Sequence, residues 1–508
     1  MPRTELIVES SKGRRSLRVS RADPELRLTE WLRRHSLPLN TRCAERGLCD
    51  GCLVELVDVA GRATQVRGCE TRVADCRNAL VRISARSLVA HRPQAVIDFR
   101  INIPQAHDPL VCDGLGVALD IGTTTVAALL VDLATGKTIG RAADFNRQMH
   151  FGDDVLTRIN SCASDRAMVG RLQAAVVQET IVPLLAELGA MERLKCIMVA
   201  GNTTMLHLLA GVDPTPMGTV PFTPVFLEHR VIQLPELGVV DVHLLPGMSA
   251  YVGADLCAGA LASGLAYDDG PSLLVDVGTN GEIILKHDGR LHGCATAAGP
   301  AFEGTGLTSG MRASPGAIER IRLDREPFAV HVKTIGRKAA IGVCGSGYID
   351  LLAEGRRIGL LNERGRFRSP SAMVDGRLRL AREVFVTEAD IAHLLQAKAA
   401  IAAGILTLLE RVGLEPASIK TLYLAGGFGM HLDVPNTIAC GMLPGFRHDQ
   451  VQVIGNSSLA GAYLALLDGG IVDELGRLAG RLTVVELNLD PDFETRYIDQ
   501  LSLPDVHD

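Results

Sequence analysis

GVALDIGTTTVAALLVD, residues 116–132, reads as an apolar strand, a Gly-Thr turn and a second apolar strand. Its tip is Asp120-Ile-Gly-Thr-Thr-Thr125. Small residues there bring backbone N–H groups and hydroxyls to a phosphate, while the carboxylate is placed to hold magnesium or its water. An ordinary β-turn would account for this stretch taken alone. The plan recurs, however, in SLLVDVGTNGEIIL at 272–285, where Asp276 falls 156 positions after Asp120. Such a repeat predicts two related halves facing one nucleotide. A third glycine turn, LYLAGGFG at 422–429, follows a helical stretch from Glu388 to Val412, where an adenosine pocket is expected.

A second pattern lies upstream. Residues 41–69, TRCAERGLCDGCLVELVDVAGRATQVRGC, set Cys43, Cys49, Cys52 and Cys69 in a C-x5-C-x2-C-x16-C spacing, with Gly47 and Gly51 between the first three thiols. Glycine permits the turns and close approach that amide-to-sulfide hydrogen bonds need. Three close thiols and one distant one form the plant-type 2Fe-2S arrangement. A zinc site or a set of structural thiols is the alternative, although zinc ribbons normally bring two separated C-x2-C pairs. Cys76 is a rival for the fourth position; the x16 spacing and Gly68 favour Cys69.

At 508 residues the chain predicts two to four domains. It is 47% hydrophobic and 22% charged, which excludes a disordered chain. A net charge of −6 gives no general attraction to nucleic acid or to an anionic membrane. The N-terminus lacks an apolar signal core and apolar runs break before about 20 residues, so a cytoplasmic protein is expected. Twelve cysteines in that setting argue for metal and buried thiols over disulfides. Cys112, Cys162, Cys196, Cys257, Cys294, Cys344 and Cys440 read as small core residues.

Along the chain, two short strands at Leu6–Val8 and Leu17–Val19, a helix opening at Asp23-Pro24, and strands at 53–57 and 80–83 read as a small β-grasp fold over residues 1–87. Residues 88–114, with Pro93, Pro104 and Pro109, read as a linker that either moves or packs as a strap. Residues 115–270 and 271–488 are the two halves, and 489–508 a C-terminal tail.

The order of the three glycine loops resembles the acetate and sugar kinase, heat-shock chaperone and actin superfamily. The stretches Tyr251–Ala260 and Gly455–Ala462 look like its two connecting helices. The resemblance implies an α+β ferredoxin domain joined to a two-lobed α/β actin-like ATPase fold. It also implies that Asp120 and Asp276 handle Mg2+ and the attacking water. Gly122, Thr123, Thr124, Gly278, Thr279 and Asn280 would meet the phosphates of ATP, and Gly426 and Gly427 would line the adenosine site.

The pairing of the two modules narrows the resemblance. Leu119–Thr125, Phe151–Val155, Ala200–Met205, Asp276–Glu282, Ser309–Ala317, Ile341–Gly347, Ala425–Gly429 and Gly455–Ser458 are similar to the reductive activators of corrinoid proteins, and so is the close from Asp490 to Pro504. Larger members place an extra region between cluster domain and ATPase core, where this chain has only the short linker. The resemblance implies ATP-dependent transfer of one electron from a 2Fe-2S cluster to an inactive Co(II) corrinoid protein, regenerating Co(I) for methyl transfer. The partner would be a corrinoid protein of a methyltransferase system or a methionine synthase; an electron donor and a homodimer are also implied.

Asn202 is expected to cap a helix or touch the cleft, Glu303 and Arg312 to flank a mobile or packed glycine-rich loop, and His207 and His431 to be structural. The competing class is a redox-regulated small-molecule kinase, for which Asp153 and Asp154 are candidate bases. A degenerate electron-transfer module and a 4Fe-4S dehydratase activator are weaker alternatives. The intact loops oppose the first, and the N-terminal cysteine loop opposes the second.

Overall fold

The computed structural model describes residues 5–10, 13–39, 41, 45, 47, 51–84, 87–88, 97–152, 154–368, 373–426 and 429–505. The chain divides into two compact units, 1–92 with 149–153, and 93–148 with 154–508.

In the small unit, β1 (Glu5–Ser10), β2 (Gly13–Arg18), β3 (Leu53–Val57), β4 (Ala63–Arg67) and β5 (Leu80–Ile83) form one sheet in the order β2-β1-β5-β3-β4. β5 runs parallel to β1 and antiparallel to β3, which is the β-grasp arrangement. The helix Leu28–Arg34 buries Leu28, Trp31 and Leu32, whose i, i+3, i+4 spacing puts them on one face. It starts later than the Asp23-Pro24 signal suggested: Asp23–Glu25 is a single 3-10 turn, and Leu26 and Arg27 are extended. The Asp23 carboxylate accepts from Ser20 N at 2.7 Å and Trp31 Nε1 at 3.1 Å, so it pins the turn to the helix instead of capping it.

The large unit holds two six-stranded sheets. The first contains β6 (Leu115–Ile121), β7 (Thr125–Asp132), β8 (Lys137–Phe145), β9 (Leu194–Gly201), β10 (Arg230–Gln233) and β11 (Asp241–Leu244) in the order β10-β11-β9-β6-β7-β8. Next in the chain come β12 (Ser272–Val277), β13 (Gly281–His287) and β14 (Arg290–Thr296). Two three-stranded sheets follow, one of β15 (Ala317–Asp324), β16 (Ala329–Thr334) and β17 (Gly342–Val343), the other of β18 (Met373–Val374), β19 (Arg377–Ala381) and β20 (Val384–Val386). Together with β21 (Thr421–Gly426), β22 (Val451–Gly455) and β23 (Leu482–Val484), β12–β14 make the second six-stranded sheet, ordered β22-β21-β12-β13-β14-β23.

The strand sets β11-β9-β6-β7-β8 and β22-β21-β12-β13-β14 have the same order and the same directions, parallel up to the first strand of each half and antiparallel after it. The sequence repeat is thus a repeat of topology. β6 and β12 are buried along most of their length, and each fully buried Val or Leu contributes about 1.5–3 kcal/mol.

The helices Ala254–Ala262 and Ser457–Leu467 cross where only small residues fit. A Cβ on Gly461 would stand 2.4 Å from Ala258 Cβ, and one on Gly259 would stand 2.6 Å from Ser457 Oγ. The helix Glu388–Arg411 is, among the described residues, the one long and apolar enough on average to cross a membrane, and Lys398 and Gly404 interrupt its apolar run. It is mostly buried inside the large unit, and its Lys398 Nζ donates to the Ser502 carbonyl at 2.7 Å, tying down the C-terminal segment.

Over residues 97–109 the expected linker is a strap. Arg100 N donates to the Ile454 carbonyl at 2.9 Å, Asn102 N to Ala262 at 3.1 Å and Asp108 N to Leu467 at 2.9 Å, while the Asp98 carbonyl accepts from Asn456 N at 3.0 Å. Pro104 falls between these anchors and Pro109 directly after the last, so neither removes one of these donors.

Candidate functional site

Asp120 and Asp276 are the penultimate residues of β6 and β12, paired in parallel register with Ala200 and Ala425. Ligands of such sheets bind beyond the carboxyl ends of the strands. Both aspartates line one cavity of about 210 Å³ in the large unit, together with Gly122, Thr123, Thr124, Gly278, Thr279, Asn280 and Gly426. The structure therefore brings together these predicted residues; Gly427 lies outside the described residues.

The first loop is held from beneath. Gly122 N donates to the Thr125 carbonyl at 2.9 Å, and a Cβ on Gly122 would stand 2.9 Å from that same oxygen. Asn146 Nδ2 donates to the Gly122 carbonyl at 2.9 Å, and the buried guanidinium of Arg158 donates to the Thr123 carbonyl at 2.5 Å. Asn202 does both things foreseen for it: its side-chain oxygen caps a helix by accepting from Met205 N, and its Nδ2 donates to Thr123 Oγ1 at 3.1 Å.

The second loop turns through Gly278 N donating to the Asn280 carbonyl at 2.9 Å. Space above the Gly278 Cα is open, the cradle a phosphate would fill. Gly426, at φ +111, lies close against the aspartate: a Cβ there would stand 2.7 Å from Asp276 Oδ1 and 2.3 Å from the Val277 carbonyl.

Asp120 accepts from Asn456 Nδ2 and Ser458 Oγ, both at 2.7 Å. Burial pushes its carboxyl up, and these two donors pull against that. Burial, with Asp255 and Asp120 nearby, lifts Asp276 to about 8. Asp255, in the first turn of the Ala254–Ala262 helix, is lifted to about 7 by burial and then by Asp120, against the Leu256 N–H that it accepts. Glu282 is raised well above its ordinary value by burial, Asp255 and Asp276. Four carboxyls thus crowd the cleft without a cation among these causes. Magnesium commonly takes one or two carboxylates, with waters and phosphates completing its shell, and this donor set fits that chemistry. Arg312 brings a guanidinium to the cleft, packed 4.9 Å from the Phe145 ring, and its buried Nε has no hydrogen-bond partner among the described residues.

Sequence reading missed Asp255, Glu282, Asn456 and Ser458 as cleft residues, although Asp255 and the pair Asn456 and Ser458 stood in the quoted helix motifs. Cys344 is buried, as expected, and with Gly345 and Ser346 it also lines the cleft at the start of the helix Gly345–Arg357. Cys112 is exposed; the other scattered cysteines are buried. His431 lines the cleft, and His207 is structural, its Nδ1 bonded to the Thr203 carbonyl and its Nε2 accepting from Val225 N. The 299–316 loop is a packed turn: a Cβ on Gly310 would stand 2.1 Å from the Gly304 carbonyl. Asp154 caps the helix Val155–Ser164 by accepting from Thr157 N and Oγ1 at 2.7 and 2.8 Å, a structural use that removes it as a kinase base; Asp153 lies outside the described residues.

In the small unit, Cys52 and Cys69 are buried with their sulfurs 3.4 Å apart. That exceeds a disulfide bond, about 2.05 Å. Two thiolates on one tetrahedral metal stand about 3.7 Å apart, so the pair fits a shared metal atom. Cys43 and Cys49 lie outside the described residues, and among the described residues no three His, Cys, Asp or Glu side chains form a metal-holding group. Cys76 is buried in the small core, its thiol pushed up to about 12 by burial and by Asp75.

The duplicated sheets and the acid-lined cleft between their first strands define an ATPase of the actin-like class. Residues 270–508 match the C-terminal domain of RACo, its ASKHA domain, and residues 115–268 match the RACo middle region. The first half of the duplication therefore corresponds to that middle region. Corrinoid activation enzyme RamQ of Eubacterium limosum is 32% identical over 418 residues, covering 75% of this chain and 69% of the relative. The [Co(II) methylated amine-specific corrinoid protein] reductase of Methanosarcina barkeri is 27% identical over 424 residues, covering 76% of each. A solved reductive activator for a corrinoid, iron-sulfur protein superposes with a TM-score of 0.72 at 28% identity over 99% of both chains. The chain belongs to the family of reductive activators of corrinoid proteins.

Proposed function

We propose that this protein uses ATP to drive delivery of one electron to an inactive Co(II) corrinoid protein, returning it to Co(I). The observation that carries the reading is the acid-floored cleft built from two copies of one strand plan, in a chain that also presents the Cys52–Cys69 thiol pair. Cys43, Cys49, Cys52 and Cys69 would hold a 2Fe-2S group, which when bound supplies a one-electron carrier near about −400 mV. Each ~100 mV by which the cobalt couple lies lower costs about 2.3 kcal/mol for one electron. A nucleotide-driven change of state worth a few kcal/mol closes such a gap.

Within the cleft, Thr123, Thr124, Thr279 and Asn280 offer donors to phosphate, and Gly278 leaves room for it. Asn456 and Ser458 aim the Asp120 carboxylate. Asp120, Asp276 and Asp255 would hold the metal of a bound nucleotide and orient the attacking water. The crossing of the helices Ala254–Ala262 and Ser457–Leu467 lets the two halves move about closely packed small residues. The partner is a corrinoid protein of a methyltransferase system or a methionine synthase, the setting cytoplasmic, and the active form a homodimer.

The test mixes reduced protein, Mg-ATP and candidate Co(II) corrinoid proteins and follows Co(I) by absorbance. ATP-dependent Co(I) formation is expected. Phosphorylation of a metabolite, with no Co(I) from any candidate, would sink the reading in favour of a kinase.

A further inference from the structure

One carboxylate joins the two phosphate loops. Thr124 Oγ1, in the first loop, donates to Glu303 Oε2 at 3.1 Å, and Thr279 Oγ1, in the second, donates to Glu303 Oε1 at 2.7 Å. These are two of the hydroxyls that the nucleotide reading assigns to phosphate, so this inference rests on that reading. A threonine hydroxyl has one proton to give. While both protons point at Glu303, neither reaches a phosphate oxygen.

The backbone that carries Glu303 is held in place. It ends the short turn Pro300–Glu303 behind buried Ala301 and Phe302. Gly304 follows at φ +79, and a Cβ there would stand 2.3 Å from Met311 N, so the turn is packed against the chain at Gly310 and Met311. Met311 N in turn donates to the Val343 carbonyl, and Val343 N to the Ser309 carbonyl. A nucleotide phosphate entering between the loops therefore meets a fixed negative charge at the point where its own oxygens must bind.

The rest of the lining offers the phosphates little positive charge. Burial and neighbouring carboxyls push Asp255, Asp276 and Glu282 toward their neutral forms, Glu319 pairs with Lys333 at 3.0 Å, and among the described lining residues Arg312 supplies the one guanidinium. We infer that Glu303 is the specificity-determining residue that admits nucleotide only as its divalent-metal complex. Its carboxylate occupies the hydroxyls of both loops, and it yields them only when a cation arrives with the phosphates to offset its charge. A metal-free nucleotide brings phosphate charge without that cation and is turned away. Glu303 thereby also links the two loops through one carboxylate.

The test is the Kd of a non-hydrolysable ATP analogue measured by calorimetry with Mg2+ and again with EDTA. The wild type should bind the metal complex more tightly by at least about tenfold, the scale of one close charge in a partly screened site. Glu303→Gln should shrink that ratio by about tenfold, through tighter binding of the metal-free analogue, because the amide keeps the shape and loses the charge. Glu303→Ala reads the same ratio should the glutamine variant fail to fold. An unchanged ratio in a folded variant that still binds, or equal weakening of both forms, overturns the role of Glu303 alone. Failure of the wild type to bind the Mg2+ complex overturns the nucleotide reading, and this inference with it.

Discussion

The side-chain amide of Asn456 stands 2.7 Å from a carboxylate oxygen of Asp120, although 336 positions separate them in the chain. The same residue caps the helix Ser457–Leu467 by accepting from Leu459 N at 2.8 Å, and its backbone N–H is held by the Asp98 carbonyl of the strap. One asparagine thus joins a cleft aspartate, a helix that crosses between the halves, and the strap.

Asn456→Ala removes the cap and the Asp120 donor together. Stability should fall by about 0.5–2 kcal/mol in denaturant titration. ATP turnover should fall by about 10–100-fold, as for loss of a group that orients a metal-binding carboxylate. Asn456→Ser separates the two effects, since serine caps comparably but is too short to reach Asp120: stability should hold while turnover drops. Equal turnover in Asn456→Ser and the wild type would remove Asn456 from the site.

Gly455 sits at φ +72, and a Cβ there would stand 2.1 Å from the Asp98 carbonyl. Gly455→Ala should therefore cost about 2–4 kcal/mol, combining left-handed strain with displacement of the strap. Hydrogen exchange should rise across residues 97–109 before it rises in the β6 and β12 strands. Uniform exchange across the large unit would mean that the strap is not a separable element.

Asp276 and Asp255 carry carboxyls raised to about 8 and about 7 from an ordinary 3.8, chiefly by burial. A carboxyl whose folded pKa exceeds its unfolded value binds more protons in the folded state between the two. The metal-free protein should accordingly lose stability as pH rises from about 4 to about 8. Asp276→Asn abolishes its share, so the metal-free variant should melt about 2–4 °C above the wild type at pH 8, with the gap closing toward pH 4. Mg-nucleotide binding runs the other way, tightening in the wild type as pH rises through about 7 to 8 and weakening by about 10–100-fold in the variant. A pH-independent affinity would place the metal elsewhere.

Cys52→Ser should abolish the visible absorption and the paramagnetic signal of the reconstituted small unit, while Mg-nucleotide binding stays within about twofold of the wild type. Cys76→Ser should keep the signal, because that thiol is engaged with the Arg72 carbonyl at 3.6 Å, whereas the Cys52 and Cys69 sulfurs face each other. If Cys76→Ser loses the signal and Cys69→Ser keeps it, the fourth ligand is Cys76.

Much of this architecture was legible in the residues themselves. The strand and turn chemistry around Asp120 and Asp276 is local, so the duplicated plan, both glycine turns and the two crossing helices could be read without a partner in view. The helix Glu388–Arg411 was equally plain, since its period and its Thr387–Asp390 capping box lie within the segment. The strap was not, because its prolines erase any period and its hydrogen bonds go to residues up to several hundred positions away.

By itself, then, the sequence determined the two modules, the repeated aspartates and the thiol spacing, because each depends on residues within a few positions of one another. The tertiary structure decided which side chains share the cleft. Asp255, Glu282, Glu303 and Asn456 carry no local signature of a ligand site, and they became one only when four separate strand and helix ends were folded to the same point. Burial there raises the carboxyls, and burial is a property of the packed interior that no short stretch of chain possesses.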